Sequence, residues 1–218
     1  MPAKYDRRLI PLAPDLSLEM DLWLANIYHV AGIDEAGRGA LAGPVSAAAL
    51  ILPPDLDISL QLMGVKDSKQ LTPSERQYWA GQLRDLALAY GVGFASNQEI
   101  DEVGILPATR LAIQRALMQM SIQPQHLLVD YLELPDCPLP QTSIIKGDAR
   151  SLSIASASIL AKTSRDEYLV QLEDQYPGYG FARHKGYGTY AHRLAIGRLG
   201  FTPLHRRSFR FCPVEEYS

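Results

Sequence analysis

Cysteine is scarce in this sequence: Cys137 and Cys212 are the only two, 75 positions apart and outside any C-x-x-C pattern. A disulfide scaffold and a thiolate zinc site are not expected on that count, and a reducing, cytoplasmic setting is. Long apolar runs are missing as well. The longest, Val45 to Leu52, falls far short of the ~20 residues that cross a bilayer, so no membrane association is expected. The opening residues, Met1-Pro-Ala-Lys-Tyr-Asp-Arg-Arg8, lack the apolar core of a signal peptide, and export is not expected either. No G-x-x-x-x-G-K-[ST] occurs, which removes a P-loop. Internal repeats and low-complexity stretches are also absent.

A surplus of positive charge is lacking overall, since 21 Lys and Arg face 24 Asp and Glu for a net charge of −3. Its distribution is uneven. Between Arg183 and Phe211 stand seven basic residues (Arg183, Lys185, Arg193, Arg198, Arg206, Arg207 and Arg210) and no acidic one. The rest of the chain then carries 14 basic against 24 acidic residues, a balance of −10. His184, His192, His205, Tyr187, Tyr190 and Phe209 are interleaved with the basic run. Such a segment suits a phosphate backbone, although a solvated helix face reads the same way. What is present in quantity is ordinary: 218 residues, 47% of them hydrophobic, enough to bury a core.

Local signals order the chain. Residues 1–27 are Pro-interrupted, with a short helix around Leu16–Leu24, and read as an N-terminal extension. Ile27–Ile33 and Val45–Leu52 are apolar and β-prone, joined by the glycine-rich break from Ala36 to Pro44. Thr72-Pro-Ser-Glu75 is a capping box with proline at the first helical position. Trp79, Leu83, Leu86 and Tyr90 follow on one helical face. A short strand is expected at Gly91–Ser96, a helix at Pro107–Met120 and a buried strand at His126–Asp130. A long helix follows from Ser151 to about Gln175, its first half small enough to approach a sheet closely. A last helix runs from Thr189 to Leu199 and ends at Gly200. Strands first, then alternating helices and strands, indicate an α/β layer structure around a mixed sheet.

Acidic residues stand at strand ends. Asp34 and Glu35 follow an apolar strand, Asp130 ends another, and Asp148 comes after Lys146-Gly147 ahead of the Ser/Ala helix. A strand-end Asp is often a plain turn residue. Several such carboxylates without basic partners in the same strands are costly to bury, and a divalent cation relieves that cost. Oxygen-only ligation points to Mg²⁺ or Mn²⁺ rather than zinc. Adjacent residues on a strand face opposite ways, so Asp34 and Glu35 share a site only if the backbone turns nearby, as Ala36-Gly37 permits.

Rival readings are weaker. Gly37-Arg-Gly-Ala-Leu-Ala42 satisfies a dinucleotide fingerprint, but Pro44 would interrupt the phosphate-cradling helix and two carboxylates would repel a pyrophosphate. The spacings of His184, His192 and His205 match no metal motif. Ser156, Ser158 and Ser164 lack a nucleophile elbow and read as packing residues. Lys69, in Asp67-Ser-Lys69, is either a phosphate contact or a plain surface residue.

Several of these segments together resemble one known family. Gly32-Ile-Asp-Glu-Ala-Gly-Arg-Gly39 with Leu41-Ala-Gly-Pro-Val45 is similar to the opening signature of ribonuclease HII. Asp67-Ser-Lys-Gln-Leu71, Lys146-Gly-Asp148, the segment Ser153–Lys162, Tyr176-Pro-Gly-Tyr-Gly180, His184-Lys-Gly-Tyr-Gly-Thr189 and His205-Arg-Arg-Ser-Phe209 look like that family in its order. The likeness covers about residues 29–211. Ala40 stands where the family usually has proline, and Tyr131 where glycine is common.

The resemblance implies an RNase H-like fold, α/β with a central mixed sheet flanked by helices, plus a C-terminal helical extension over about 176–212 within a catalytic domain at 28–212. It implies that Asp34, Glu35, Asp130 and Asp148 bind two divalent ions, Mg²⁺ or Mn²⁺. Asp166 would be a helix-surface residue instead. Gly37, Arg38 and Gly39 would contact the ribonucleotide, Tyr187 would pack on the next deoxyribose, and Lys69 would touch a phosphate. The implied partners are RNA–DNA hybrids and DNA duplexes containing ribonucleotides, bound by a monomer and cut 5′ to the ribonucleotide. A non-catalytic duplex binder and another metal-dependent nuclease of related fold remain the alternatives.

Overall fold

The structure is a computed structural model and describes residues 10–212. Five strands form one mixed sheet in the order β3-β2-β1-β4-β5. Strands β1 (Val30–Ala36), β2 (Val45–Ile51) and β3 (Ala89–Ala95) make an antiparallel meander. Strands β4 (His126–Asp130) and β5 (Gln141–Ile144) add to the other side of β1 in parallel.

Side-chain alternation divides the core in two. On one face Ala31, Ile33, Ala47, Ala49 and Val129 pack with Ile113 of helix α5 (Ile105–Met118). On the other, Ala48 and Leu50 pack with Ala155 and Ile159 of helix α6 (Leu152–Gln171). Small residues let α6 lie close to the sheet. A Cβ on Gly32 would stand 2.2 Å from the Ser153 carbonyl carbon, so only glycine admits the helix there. That contact sits two residues before Asp34 and fixes where α6 crosses the strand.

Helix α3 (Pro73–Leu86) begins with the expected capping box, Thr72 accepting from the Glu75 N–H while Glu75 accepts from the Thr72 N–H. It packs on α6. Its apolar face stops at Leu86. Tyr90, read as the next position on that face, belongs to β3 instead, because residues 89–95 are drawn into the β2 ladder from Ile51↔Ala89 onward. Helix α2 (Ile58–Gln61) and strand β5 carried no sequence signal, whereas helix α4 (Asn97–Val103) was announced by an overlooked capping box, Ser96-Asn-Gln-Glu99.

Residues 1–9 of the segment read as an extension lie outside the described residues. Of the remainder, the helix is packed on the sheet. Helix α1 (Ser17–Leu24) sets Leu18, Leu22 and Trp23 over Val30, Leu128 and Ile154. Its Glu19 carboxylate accepts from Ser151 Oγ (2.5 Å), Ser153 N (3.0 Å) and Ser153 Oγ (2.6 Å), a negative group at the N-terminus of α6. Burial raises the Glu19 pKa despite those donors.

The C-terminal part holds helices α7 (Phe181–His184) and α8 (Tyr190–Leu199) around Tyr179, Phe181 and Ile196. It is stitched to the stretch after β1 by main-chain bonds. Leu41 N–H donates to Gly186 O (2.8 Å), Gly43 N–H to Leu204 O (2.9 Å) and Arg206 N–H to Leu41 O (2.9 Å). No described helix is long and apolar enough to cross a membrane.

Candidate active site

Two parallel strands deliver the first carboxylates. The register pairs Ile33 with Val129, so Asp34 and Asp130 follow side by side at the C-terminal edge of β1 and β4. Asp148 arrives from the 3₁₀ turn Gly147–Ala149, which precedes α6. The Gly147 N–H donates to Asp130 Oδ1 (2.7 Å), tying that turn to β4. Oxygens of Asp34, Asp130 and Asp148 lie within 4.8 Å of one another.

Glu35 is placed differently. Strand β1 stays paired through Ala36↔Ser46, so the chain turns only at Gly37, and Glu35 forms part of the pocket wall with its Oε1 3.0 Å from Arg38 Nη1. It lies outside the group of three. The pocket holds about 530 Å³ and is lined by Asp34, Glu35, Gly37–Gly39, Lys69, Asp130, Lys162 and Tyr187. Every sequence-derived site residue except Asp148 lines it, and Asp148 meets it through Lys69, whose Nζ is 3.5 Å from Asp148 Oδ2.

The cluster is electrostatically unfavourable as it stands. Burial, then the charges of Glu35 and Asp130, raise the Asp34 pKa well above the carboxylate range. Asp130 is pushed up to about 6 by burial and by Asp148, against the Gly147 hydrogen bond. Burial raises Glu35 too, with Arg38 pulling it back. Lys69 is a cation beside this cluster, its Nζ 3.5 Å from Asp148 Oδ2. Burial opposes its charge, yet Asp67, Asp34 and Asp148 raise its pKa. Its side chain is 75% exposed, so one screened ammonium cannot neutralise three crowded carboxylates. An all-oxygen donor set with excess negative charge fits a divalent cation of the Mg²⁺ or Mn²⁺ kind.

Helix α6 supplies what sequence reading missed. Ser158, Lys162 and Arg165, spaced i, i+4, i+7, run along one face beneath the pocket. Ser158 lies 2.8 Å from the Ser68 hydroxyl, and its own hydroxyl favours the charged form of Asp34, so it is more than packing. Lys162 Nζ stands 5.1 Å from the Tyr187 ring centroid, and Arg165 Cζ 5.4 Å. The i, i+4, i+7 spacing of Ser158, Lys162 and Arg165 was the available signal, diluted by other polar residues of the same helix. Asp166 is outside the acidic cluster, held by Lys162 (2.6 Å) and Arg76 (3.6 Å).

The basic C-terminal run is not uniform. Arg183, Arg198, Arg207 and Arg210 are exposed, whereas Arg206 is interior. With Arg165 it makes a pair of buried guanidiniums lacking any carboxylate within ion-pair distance among the described residues. Arg165 donates to the carbonyls of Pro44, Ala42 and Lys185, and Arg206 to those of Gly43, Arg38 and Gly37, at 2.7–3.0 Å. Burying a cation costs several kcal/mol, and three charge-assisted bonds at roughly 1.5–3 kcal/mol each offset it. Gly37, at φ +93°, must be glycine: a Cβ would lie 2.0 Å from Arg165 Nε.

The histidines are interior and neutral. His205 Nδ1 accepts from Thr202 N–H (2.8 Å), which leaves the proton on Nε2 to donate to His192 Nε2 (3.1 Å). His192 Nδ1 in turn donates to the Tyr187 carbonyl (3.0 Å). Burial lowers both pKa values to about 4. With these nitrogens engaged, the two histidines brace Tyr187 and offer nothing to a metal.

Comparison with known proteins gives the family. The family model described as Ribonuclease HII matches residues 31–212. A Ribonuclease HII from Dehalococcoides mccartyi is 50% identical over 198 residues, covering 91% of this chain and 93% of its own. One from Geobacillus kaustophilus is 53% identical over 198 residues, covering 91% of this chain and 74% of its own. The crystal structure of the ribonuclease H2 from Pyrococcus horikoshii superposes with a TM-score of 0.68 at 29% identity, over 84% of this chain and 94% of that one. The mixed sheet with flanking helices and a helical C-terminal part is therefore an RNase H-like architecture, and the chain belongs to the ribonuclease HII family of nucleases.

Proposed function

We propose that this ribonuclease hydrolyses the phosphodiester on the 5′ side of a ribonucleotide, in RNA–DNA hybrids or within duplex DNA. Water adds to phosphorus, the P–O3′ bond breaks, and the products are a 3′-hydroxyl and a 5′-phosphate. The observation that carries this reading is the Asp34–Asp130–Asp148 cluster, held within 4.8 Å beside a glycine turn and Tyr187.

Two divalent ions, Mg²⁺ or Mn²⁺, would supply the activated water and the charge that stabilises the leaving oxygen. Asp34, Asp130 and Asp148 would hold them. Glu35, paired with Arg38 at 3.0 Å, would complete the ligand set, and Arg38 would contact a substrate phosphate. No side-chain nucleophile is required, in keeping with Ser158 being tied to Ser68. Only the 2′-hydroxyl separates RNA from DNA at one nucleotide, and a glycine turn lets backbone groups reach it. Tyr187 packs on the following sugar, Lys69 contacts a phosphate, and the exposed arginines of the C-terminal part track the backbone without reading sequence.

The test is a labelled DNA duplex with one embedded ribonucleotide beside an all-DNA control, in Mg²⁺, Mn²⁺ or EDTA, with Asp34→Asn and Asp130→Asn as variants. A metal-dependent nick 5′ to the ribonucleotide, lost in both variants while duplex binding persists, is expected. Binding without a nick would make the protein a duplex binder, and cutting of the all-DNA control would make it a different nuclease.

A further inference from the structure

The turn between β1 and β2 is held from below by its carbonyls. Arg206 Nη2 donates to Gly37 O (2.7 Å), Nη1 to Arg38 O (2.9 Å) and Nε to Gly43 O (3.0 Å). Arg165 holds Ala42 O and Pro44 O farther along (3.0 and 2.8 Å). The described residues contain no cis peptide. A trans peptide is planar and carries its C=O and N–H on opposite sides. Drawing the Gly37 and Arg38 carbonyls inward therefore turns the N–H groups of Arg38 and Gly39 outward, away from Arg206. Gly39 is exposed, the turn lines the acidic pocket, and neither N–H donates to a protein acceptor among the described residues.

We propose that Arg206, assisted by Arg165, is a positioning residue for ribonucleotide recognition: it aims the Arg38 and Gly39 N–H groups at the 2′-hydroxyl. This rests on the activity proposed above and adds how that activity selects its nucleotide. The side-chain chemistry fits the task. A guanidinium is a rigid planar fork and holds three carbonyls in one fixed arrangement, whereas an ammonium is a point charge on a flexible stem. The choice of partners fits as well. A carboxylate would have neutralised each buried cation, but all six hydrogen bonds of the two guanidiniums go to main-chain carbonyls. The positive charge stays beneath the turn, where it also favours an anionic sugar–phosphate on the outer side.

The experiment compares duplex affinities by fluorescence anisotropy, with Ca²⁺ in place of Mg²⁺ so that nothing is cut. The probes are a DNA duplex carrying one ribonucleotide and an all-DNA duplex of the same sequence. Wild-type protein is expected to prefer the first. Arg206→Lys should bind the all-DNA duplex within twofold of wild type and lose at least fivefold of the ribonucleotide preference, about the worth of one net hydrogen bond. In Mg²⁺, its kcat on the ribonucleotide substrate should fall on the order of a hundredfold while KM rises no more than the duplex affinity falls, the signature of misplacement on top of lost affinity.

A preference that survives in folded Arg206→Lys protein overturns the proposal. So does equal weakening on both duplexes, which would make the arginine a bulk charge. Arg165→Lys, which loosens the same turn from its other end, is read in the same way and carries the test if Arg206→Lys melts below the assay temperature. If neither variant folds, the two arginines are scaffold and the proposal fails. Wild-type protein with neither preference nor nick at the ribonucleotide would instead refute the activity reading.

Discussion

Replacing Gly39 with alanine adds one methyl group to the outer side of the turn, where the protein itself has nothing to meet it. A Cβ there finds no atom within 4 Å, and the backbone is not left-handed. The fold should be indifferent or slightly favoured, gaining up to about 1 kcal/mol from reduced freedom of the unfolded chain. Gly37 is the contrast, since its Cβ would collide with Arg165. If the sugar seats against the Gly39 backbone at hydrogen-bonding distance, the methyl pushes it back by about 1 Å. A misplacement of that size costs on the order of a hundredfold in rate. Single-turnover nicking of a duplex with one ribonucleotide, paired with a thermal melt, separates the two effects. A melting temperature at or above wild type with cleavage down about a hundredfold is expected. Cleavage within threefold of wild type, in a protein that melts normally, would refute the idea that the sugar approaches this turn.

Three further outcomes follow from the same geometry. Mn²⁺ at about 100 times its Kd should stabilise the protein by about 2.7 kcal/mol, roughly 5–10 °C in Tm, while Asp130→Asn should melt independently of Mn²⁺; an equal rise in both would displace the metal from this cluster. His192 and His205, with folded pKa values of about 4 against 6.5 unfolded, stabilise fully above pH 6.5 and lose that contribution as pH falls toward 4. Since Asp34 and Asp130 shift the opposite way, the readout is the difference between wild type and His205→Asn in denaturant melts at pH 7.5 and 5: the variant should lose about 2 kcal/mol less than wild type, and parallel losses would contradict the buried neutral pair. Tyr131, left-handed at φ +58° and 65% exposed, should be improved by glycine: Tyr131→Gly is expected to raise Tm by about 2–4 °C, and a fall would show that the ring contributes contacts outweighing the strain.

Much of the fold was legible where one residue type has one physical use. The Thr72 capping box, Gly200 as the stop of α8 and the small residues along α6 each produce the element they suggest. Asp34 and Asp130 were legible as a recurrence, since two apolar strands each deliver a carboxylate and their parallel pairing sets the two side by side. Strand β5 was not, because Gln-Thr-Ser-Ile has no apolar alternation and is a strand only through its parallel pairing with β4. Arg206 was misread with the basic run for a similar reason. Its burial depends on three carbonyls converging, and carbonyl direction is set by backbone geometry that residue types do not encode. The separation of Glu35 from the three aspartates has the same origin, a strand that continues one pair further than the glycine turn suggested.

The stitching of residues 41–43 to residues 186 and 204–206 has a consequence for how the enzyme comes into being. During synthesis the acidic edge of the sheet is complete once α6 has emerged, yet the loop that would recognise a sugar has no underside until Arg206 leaves the ribosome. A chain stopped short of residue 204 would thus have its acidic strand ends in place while the carbonyls of Gly37, Arg38 and Gly43 lacked the guanidinium that gathers them.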